Sequence, residues 1–218
     1  LNPPSVAVVS TATTSVTADI PVGSNPVMVT ETPDKKKVYA VNQGDNTLTP
    51  IFTIDRSTGS PVAVGNSPVY AVANSDSTLV YVVNQGSNSV SVINTTTDAR
   101  SMADIAVGAG PNFAFFDPTL KRVYVTNEAG NSLSVIDAST TAPRLITTVP
   151  ETGACTGSGP VAVTAIADGS RAYVVNRDSN NVCVLNTTNN TFIRNIPVGN
   201  APVSIQASSD GSKVFVAN

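Results

Sequence analysis

Val38-Tyr-Ala-Val-Asn42 is the first of five copies of one short block, and this repetition decides the fold. The closing asparagines are 42, 43, 49 and 42 residues apart, and a proline after a small-residue turn recurs at the same intervals. Periods of roughly 40–45 residues are typical of four-stranded propeller blades, whose small sheets bury both faces only by stacking on neighbours. The repetition therefore predicts an all-β fold, a β-propeller. The other copies of the block are Val80-Tyr-Val-Val-Asn84, Val123-Tyr-Val-Thr-Asn127, Ala172-Tyr-Val-Val-Asn176 and Val214-Phe-Val-Ala-Asn218, and the prolines are Pro26, Pro68, Pro111, Pro160 and Pro202.

The second repeat shows how four strands fit into one period. Residues 68–73 form a small-residue apolar segment suited to the innermost strand, and residues 79–83 are apolar on both faces. Residues 89–93 alternate with the two-residue period of a strand, and residues 101–107 form a looser outer strand. Polar turns rich in Asn, Ser and Asp separate these segments. Each repeat is therefore predicted to be one four-stranded blade.

Four full repeats lie between two complementary half-repeats. Residues 5–23 match the third and fourth strands of a repeat, and the last residues, up to Asn218, match the first and second. We predict one propeller domain over residues 1–218 with five four-stranded blades, either a closed five-bladed ring or an arc of a larger propeller. An arc would expose strand edges that can pair with another chain. The blades are predicted at approximately residues 24–65, 66–108, 109–158, 159–199, and 200–218 together with 1–23.

The block supplies a recurrent aromatic residue and a recurrent asparagine. Because the aromatic residue keeps one phase in every repeat, we predict that it packs between blades and does not form a binding surface. The asparagine opens a polar turn that closes on a second asparagine, and Asn and Gly both tolerate the positive φ of such turns. The fourth turn, Asn176 to Asn180, lacks the glycine of the first three and is predicted to have a different shape. The structural repeat residues are Tyr39, Asn42, Tyr81, Asn84, Tyr124, Asn127, Tyr173, Asn176, Phe215 and Asn218.

Two cysteines give a sharp local hypothesis. Cys155 lies in a glycine-rich stretch of the one interval that is extended to 49 residues, and Cys183 lies in the third strand of the following blade. An enlarged loop could fold across its own blade, so we predict a Cys155–Cys183 disulfide, which would imply an oxidising compartment. The alternative is a buried free thiol at Cys183 with an incidental cysteine in the loop.

The composition restricts the chemistry. The 218 residues include no histidine, which excludes Ser-His-Asp and Cys-His arrangements and histidine-based metal sites. Two cysteines alone do not complete a tetrahedral zinc site, and the carboxylates lack EF-hand spacing, so we predict no catalytic residue, no cofactor and no metal. The net charge of −3 weighs against nucleic acid, and the one basic run, Lys35-Lys36-Lys37, is interpreted as a solvated turn. No apolar run approaches the ~20 residues that cross a membrane.

The third repeat carries a family resemblance. Its block Val123 to Asn127, followed by Asn131-Ser-Leu-Ser-Val-Ile-Asp137 and preceded by Val107-Gly-Ala-Gly-Pro111, resembles the YVTN-repeat β-propellers of bacteria and archaea. The resemblance covers essentially the whole chain, which is also similar, more distantly, to seven-bladed lactonase-type propellers. The YVTN resemblance implies a bacterial or archaeal protein that acts outside the cytoplasm, secreted, at the cell surface or in the periplasm.

Three function classes follow, in order of preference. The first is a non-catalytic binding or scaffold module, not an enzyme, with an unknown protein or surface partner. The second is a self-assembling surface protein that uses open strand edges. The third is a lactonase-like hydrolase with Asp, Glu or Arg at the channel mouth. A hydrolase would need carboxylates from several blades to converge on one channel end, whereas a scaffold predicts a channel lined by small and apolar groups.

Overall fold

The computed structural model describes residues 3–218, and this part of the chain consists of strands and turns without a helix. The all-β prediction is therefore confirmed. The strands are β1 (Ser5–Ser10), β2 (Ser15–Pro21), β3 (Pro26–Glu31), β4 (Lys37–Asn42), β5 (Thr47–Phe52), β6 (Val62–Ala63), β7 (Pro68–Ala73), β8 (Leu79–Asn84), β9 (Ser89–Asn94), β10 (Ala99–Arg100), β11 (Ile105–Ala106), β12 (Pro111–Asp117), β13 (Arg122–Asn127), β14 (Ser132–Asp137), β15 (Arg144–Pro150), β16 (Pro160–Ala165), β17 (Arg171–Asn176), β18 (Asn181–Asn186), β19 (Thr191–Pro197), β20 (Ser204–Ala207) and β21 (Val214–Ala217).

Strands that follow one another along the chain pair as antiparallel neighbours. Three sheets have the strand orders β3-β4-β5-β6, β12-β13-β14-β15 and β16-β17-β18-β19, and a further sheet has the order β7-β8-β9-β10 with β11 also paired to β9. The four full repeats thus each form a sheet of at least four strands. The terminal half-repeats form two separate two-stranded sheets, β1-β2 and β20-β21. The count of five blades therefore stays a prediction.

The contacts divide the chain into two compact units. The first comprises Leu1–Ser87 with Ser91–Asp104, and the second comprises Asn88–Val90 with Ile105–Asn218. The single domain and its blade boundaries stay predictions.

In the first unit, strand β4 is buried on both faces. Tyr39 and Val41 belong to one apolar cluster with Val82 of β8, while Ala40 belongs to another with Ile20 of β2. Successive residues of a strand point to opposite faces. The sheet of β3 to β6 therefore buries one face against β1-β2 and the other against β7-β8, as stacked blades require.

In the second unit, the aromatic residue of the block again lies in a core. Tyr124 of β13 packs in one cluster with Val135 of its own sheet and with Leu185 and Phe192 of the next. The repeat position is not equally covered in every copy. Tyr39, Tyr81 and Tyr124 are fully buried, Tyr173 is half-buried and Phe215 is 61% exposed. Phe215 lies on the two-stranded sheet β20-β21, which offers less packing surface than the complete sheets do.

In the four full repeats the asparagine of the block ends its strand in a buried position against a glycine. Asn127 is fully buried, and its Nδ2 donates a hydrogen bond of 3.0 Å to Ser134 Oγ on β14. A Cβ placed on Gly108 would lie 2.6 Å from Asn127 Cγ, so the asparagine packs directly on the glycine backbone. Only glycine permits so close an approach. The same contact pairs Gly23 with Asn42, Gly65 with Asn84, Gly157 with Asn176, and Gly199 with Asn218.

This contact makes a testable prediction. Gly108→Ala is expected to lower the free energy of unfolding by about 1–3 kcal/mol, because the added methyl group overpacks the asparagine side chain. In an Asn127→Ala background the same change should cost at least about 1 kcal/mol less, because the obstructing amide is gone. Urea unfolding of the two single variants and the double variant measures both values. Equal costs in the two backgrounds would contradict the proposed packing.

The second asparagine of each turn adopts the left-handed backbone and joins consecutive repeats. Asn131 has φ 42°, and its Oδ1 accepts a hydrogen bond of 2.9 Å from the backbone N–H of Gly159. Positive φ is therefore found at the second asparagine of the turn and not at the block asparagine. The equivalent bonds run from Ser67 N–H to Asn46, from Gly110 N–H to Asn88 and from Ala201 N–H to Asn180.

The fourth turn does not differ from the others, contrary to the sequence-based prediction. Asn180 has φ 54°, within the range of its counterparts, and makes the same bond to the next repeat. The reason is that Gly44, Gly86 and Gly130 of the first three turns do not have positive φ. Their loss in the fourth copy therefore removes no special backbone conformation.

The basic run in the first repeat is only partly a solvated turn. Lys35 and Lys36 are exposed, but the Lys37 side chain is 14% exposed, and its Nζ donates 2.6 Å hydrogen bonds to Thr95 O and to Asp98 Oδ2. Lys37 begins β4, so its side chain lies within the stack of sheets of the first unit. This position corrects the interpretation of Lys37 as a solvated residue.

Candidate functional site

The residue that follows the block asparagine is ionisable in two repeats. It is Gln43 in the first repeat and Gln85 in the second, but Glu128 in the third and Arg177 in the fourth. The side chains of Glu128 and Arg177 are 31% and 40% exposed, so both reach solvent. Strands β13 and β17 end at this point, and the turns that follow bring the two opposite charges together within the second unit.

The carboxylate of Glu128 is held from two sides. Arg177 Nη2 donates a hydrogen bond of 2.6 Å to Glu128 Oε1, and Asn112 Nδ2 donates one of 2.9 Å to Oε2. Arg177 Nε also donates to Asp178 Oδ1 at 3.0 Å. We call Asn112, Glu128, Arg177 and Asp178 the Glu128 cluster. It combines two carboxylates, one guanidinium and one carboxamide.

Asn112 is the fixed part of the Glu128 cluster. Its Oδ1 accepts a hydrogen bond of 2.6 Å from Thr126 Oγ1, and its Nδ2 also donates to Pro160 O at 3.1 Å. Both ends of the carboxamide are therefore engaged, which fixes its orientation. The side chain that meets Glu128 is thus in place before any ligand arrives.

Electrostatics hold the guanidinium in its charged form. Its hydrogen bond to Asp178, followed in size of effect by its hydrogen bond to Glu128, raises the pKa of Arg177 above its ordinary value. With one guanidinium between two carboxylates, the Glu128 cluster carries an excess of negative charge. It can accept hydrogen bonds from hydroxyl or amine groups of a ligand and can donate from the guanidinium.

The first strands of the second unit are otherwise apolar beside the Glu128 cluster. The residue after the repeat proline is Asn112 in one repeat but Val161 and Val203 in the other two, and Phe113 and Phe115 of β12 are half-buried. The Glu128 cluster thus joins carboxylates from the turns of two repeats to Asn112 on β12, a strand that is otherwise mostly apolar.

The corresponding turn of the first unit has a different composition. Asn25 Nδ2 donates to Gln43 Oε1 at 3.0 Å, so two neutral amides take the place of the ion pair. The backbone N–H of Ser24 donates to Asp45 Oδ2 at 2.6 Å and lowers the pKa of that carboxyl. The charged arrangement is therefore a property of the second unit.

The predicted disulfide is present in the second unit. Cys155 and Cys183 are bonded, with their Cα atoms 5.6 Å apart, and both are fully buried. Cys183 occupies the β18 position that Thr49, Ser91 and Ser134 occupy in the other repeats. Asn176 Nδ2 lies 3.2 Å from its sulfur, where the other block asparagines meet a hydroxyl. The disulfide thus ties the extended loop to the core of the fourth sheet.

The structure does not bring the predicted repeat residues into one site. Each block tyrosine and asparagine lies in its own sheet, and within residues 3–218 no three His, Cys, Asp or Glu side chains are grouped to hold a metal ion. In the same range no helix is long and apolar enough to cross a membrane.

Sequence reasoning missed Asn112, Glu128 and Arg177. The signal that could have identified them is departure from the repeat. Each replaces a residue that is neutral or apolar in other copies.

A comparison with protein-family models identifies the family. The model described as "Lactonase, 7-bladed beta-propeller" matches residues 94–218, more than half of the chain. The chain belongs to this lactonase family. The predicted similarity to lactonase-type propellers is therefore confirmed. No curated protein matches the sequence of this lactonase-family chain.

Solved structures share the fold of this lactonase-family chain at low sequence identity. A protein of unknown function from Desulfotomaculum acetoxidans gives a TM-score of 0.80 at 20% identity, covering 96% of this chain and 68% of that one. A protein from Bacteroides uniformis, provisionally assigned as a 6-phosphogluconolactonase, gives 0.73 at 17% identity, covering 98% and 70%. Hydrazine synthase of Kuenenia stuttgartiensis gives a TM-score of 0.76 at 22% identity, and the match covers 89% of this chain and 56% of that one. These similarities bear on the fold alone.

Proposed function

We propose that this lactonase-family propeller is a non-catalytic binding module that acts outside the cytoplasm and recognises a hydroxyl-rich ligand through the Glu128 cluster. The observation that carries the proposal is that both Glu128 oxygens already accept hydrogen bonds, from Arg177 and from Asn112. Each carboxylate oxygen has a second lone pair, so neither partner has to leave when a ligand arrives. A recognition group keeps them and accepts further hydrogen bonds from the ligand.

The composition of the Glu128 cluster supports this ligand class. Sugars, sugar acids and their cyclic esters present several hydroxyl groups that donate and accept hydrogen bonds. Carboxylate oxygens of Glu128 and Asp178 accept such bonds, and the guanidinium of Arg177 donates them in a fixed plane.

The proposed location follows from the disulfide and from the repeat. Disulfides persist in oxidising compartments, and the Cys155–Cys183 bond attaches the loop of the longest repeat interval to β18. The five blocks resemble YVTN-repeat propellers, so we assign the chain to that type within the lactonase family. Both assignments are parts of the proposal.

A second candidate is a lactonase-like hydrolase, and family membership favours it. In such an enzyme Glu128 would activate water and Arg177 would stabilise the oxyanion that forms on a lactone carbonyl. The two side chains are in contact, so the geometry offers both groups to one ligand. Self-assembly through strand edges stays a prediction.

Titration with D-gluconate and D-glucono-1,5-lactone, together with lactone hydrolysis followed by proton release, tests these functions. Wild type is expected to bind without accelerating hydrolysis. Glu128→Gln is expected to weaken binding about 10- to 100-fold, because a hydrogen bond to a charged group is worth about 1.5–3 kcal/mol. Glutamine already occupies this position in two repeats, so the variant should fold normally.

Asp45→Asn, in the equivalent turn of the first unit, is the matched control and should bind as wild type does. Unchanged binding in Glu128→Gln would refute the site. Hydrolysis that depends on Glu128 would establish the enzymatic candidate in place of the binding module.

A further inference from the structure

One repeat boundary departs from the others in three ways at once. Elsewhere a valine and a glycine are adjacent, but here Glu151 replaces the valine, and residues 152–156 separate it from Gly157. The third departure is Cys183, which stands where other repeats have a hydroxyl residue. The regular boundaries are Val22-Gly23, Val64-Gly65, Val107-Gly108 and Val198-Gly199.

Backbone geometry confirms that Glu151 occupies the valine position. Its N–H donates a hydrogen bond of 3.0 Å to the carbonyl of Asn131, the second asparagine of the preceding turn. Val64 donates in the same way to Asn46, and Val198 to Asn180. An ionisable side chain has therefore been placed where the other repeats have a buried or half-buried valine.

The carboxyl of Glu151 is buried without a cation. The residue is 4% exposed, and within the described residues its Oε1 is buried with no hydrogen-bond partner. Its Oε2 lies 3.4 Å from Cys183 Sγ, but a disulfide sulfur carries no proton and cannot donate to a carboxylate. A Cβ on Gly157 would overlap Oε2, so the loop backbone closes directly over the carboxyl.

The elements packed on Glu151 offer it polar but not charged groups. Strand β17 contributes the Asn176 carboxamide, β18 contributes the disulfide sulfur of Cys183, and loop residues 152–158 include no Asp, Glu, Lys or Arg. Burial raises the pKa of Glu151 to about 7, and the hydrogen bond from Asn176 opposes this only in part. The closed loop therefore prefers the protonated acid.

The loop that covers Glu151 and the residues that follow it are hydrogen-bonded to the backbone of the Glu128 cluster. Arg177 N–H donates to Gly159 O at 2.9 Å, and Asp178 N–H donates to Ser158 O at 3.2 Å. Ser158 N–H in turn donates to Ser179 Oγ at 3.0 Å. Movement of residues 152–158 would consequently release hydrogen bonds that position the two charged side chains.

We propose that Glu151 is a proton-controlled latch: loop 152–158 closes over the protonated carboxyl, and loss of the proton to solvent loosens the loop and the backbone that positions Arg177 and Asp178. The disulfide keeps Cys155 attached to β18, so the loosened loop stays tethered. The latch itself stands on the buried carboxyl. Only its effect on ligand binding rests on the proposed function.

The direction of the pH effect follows from the two states of the carboxyl. In the opened or unfolded chain Glu151 titrates at its ordinary pKa of 4.5, whereas in the closed form the pKa is about 7. Below pH 4.5 both forms hold the proton, so the closed form has no penalty. As the pH rises from 4.5 to 7 the open form loses its proton first, and the closed form is progressively destabilised. Above that range the penalty is constant.

Hydrogen exchange of peptides that cover residues 152–159, measured at pH 5.5 and 8.5 and corrected for intrinsic exchange rates, tests the latch. In wild type the protection factor is expected to fall at least about tenfold at the higher pH. The reason is that, between the pKa values of the open and closed forms, each pH unit shifts the equilibrium between them by a factor of about ten. Peptides of β13 and β14 should not change. Glu151→Gln, which is neutral at both pH values, and Glu151→Val, which restores the repeat residue, should lose the response.

A response that persists in either Glu151 variant, or no response in wild type, would overturn the latch. The ligand site is tested separately. Glu128→Gln should keep the pH response of the loop while losing binding, so a failed ligand site leaves the latch result readable. In wild type, D-gluconate binding should weaken between pH 5.5 and 8.5 by more than it does in Glu151→Gln. An equal change in both proteins would refute the coupling.

Discussion

Tyr124→Ala is expected to lower the free energy of unfolding by about 3–5 kcal/mol, the range for removing a large aromatic side chain from a core. Tyr124 is fully buried, and its ring packs with Leu185 and Phe192 of the neighbouring sheet. The cavity would lie between two sheets that hold each other in place, which leaves little room for collapse. Urea unfolding followed by circular dichroism measures the loss.

The chain contains a matched control for this substitution. Phe215 occupies the same position of the block but is 61% exposed, so Phe215→Ala should change the unfolding free energy by no more than about 0.5 kcal/mol. Similar losses in the two variants would show that burial between sheets is not what makes the aromatic residue important.

Cys155→Ala combined with Cys183→Ser is expected to cost about 3–4 kcal/mol, because the disulfide joins residues 28 apart and restricts the unfolded chain. Serine is the suitable replacement at 183, since Ser91 and Ser134 accept a hydrogen bond from the block asparagine at that position. Packing and hydrogen bonding should therefore survive, and the loss should come mainly from the missing cross-link.

Reduction provides the control for the disulfide. Wild type in excess dithiothreitol should unfold at nearly the urea concentration that unfolds the double variant, whereas oxidised wild type should be clearly more resistant. The opposite finding, equal resistance of oxidised wild type and the double variant, would mean that the bond adds nothing to stability.

The sheets could be predicted from the sequence because their causes are local. Alternation with period two and two markers with one interval define the repeat, so the first three strands of the second repeat were predicted correctly. Its predicted outer strand, residues 101–107, is instead two short strands, β10 and β11. The conformation of the turn was less accessible. The sequence shows two asparagines at its ends, but only the backbone shows that Asn127 is buried and that Asn131 has the positive φ.

The Glu128 cluster could not be predicted, because it depends on packing between repeats. Glu128 and Arg177 are 49 residues apart and share one repeat position, and the Glu128 carboxylate is also held by Asn112 from a different strand. A repeat is recognised by the residues that its copies share, whereas this site consists of residues in which the copies differ. The same holds for Glu151, which is visible as an exception only once its backbone bond places it with the valines.

The bond from each turn to the next backbone N–H has a consequence for how such chains change in evolution. The acceptor is always the side chain of the second asparagine, but the donor is a main-chain amide, supplied by Ser67, Gly110, Gly159 or Ala201. Because the hydrogen bond uses only a backbone N–H of the next repeat, it does not depend on which side chain that repeat has at this position. Duplication or deletion of a whole repeat would form the same hydrogen bond again between the repeats that become neighbours. Propellers of this type can therefore gain or lose repeats while this contact between consecutive repeats is kept.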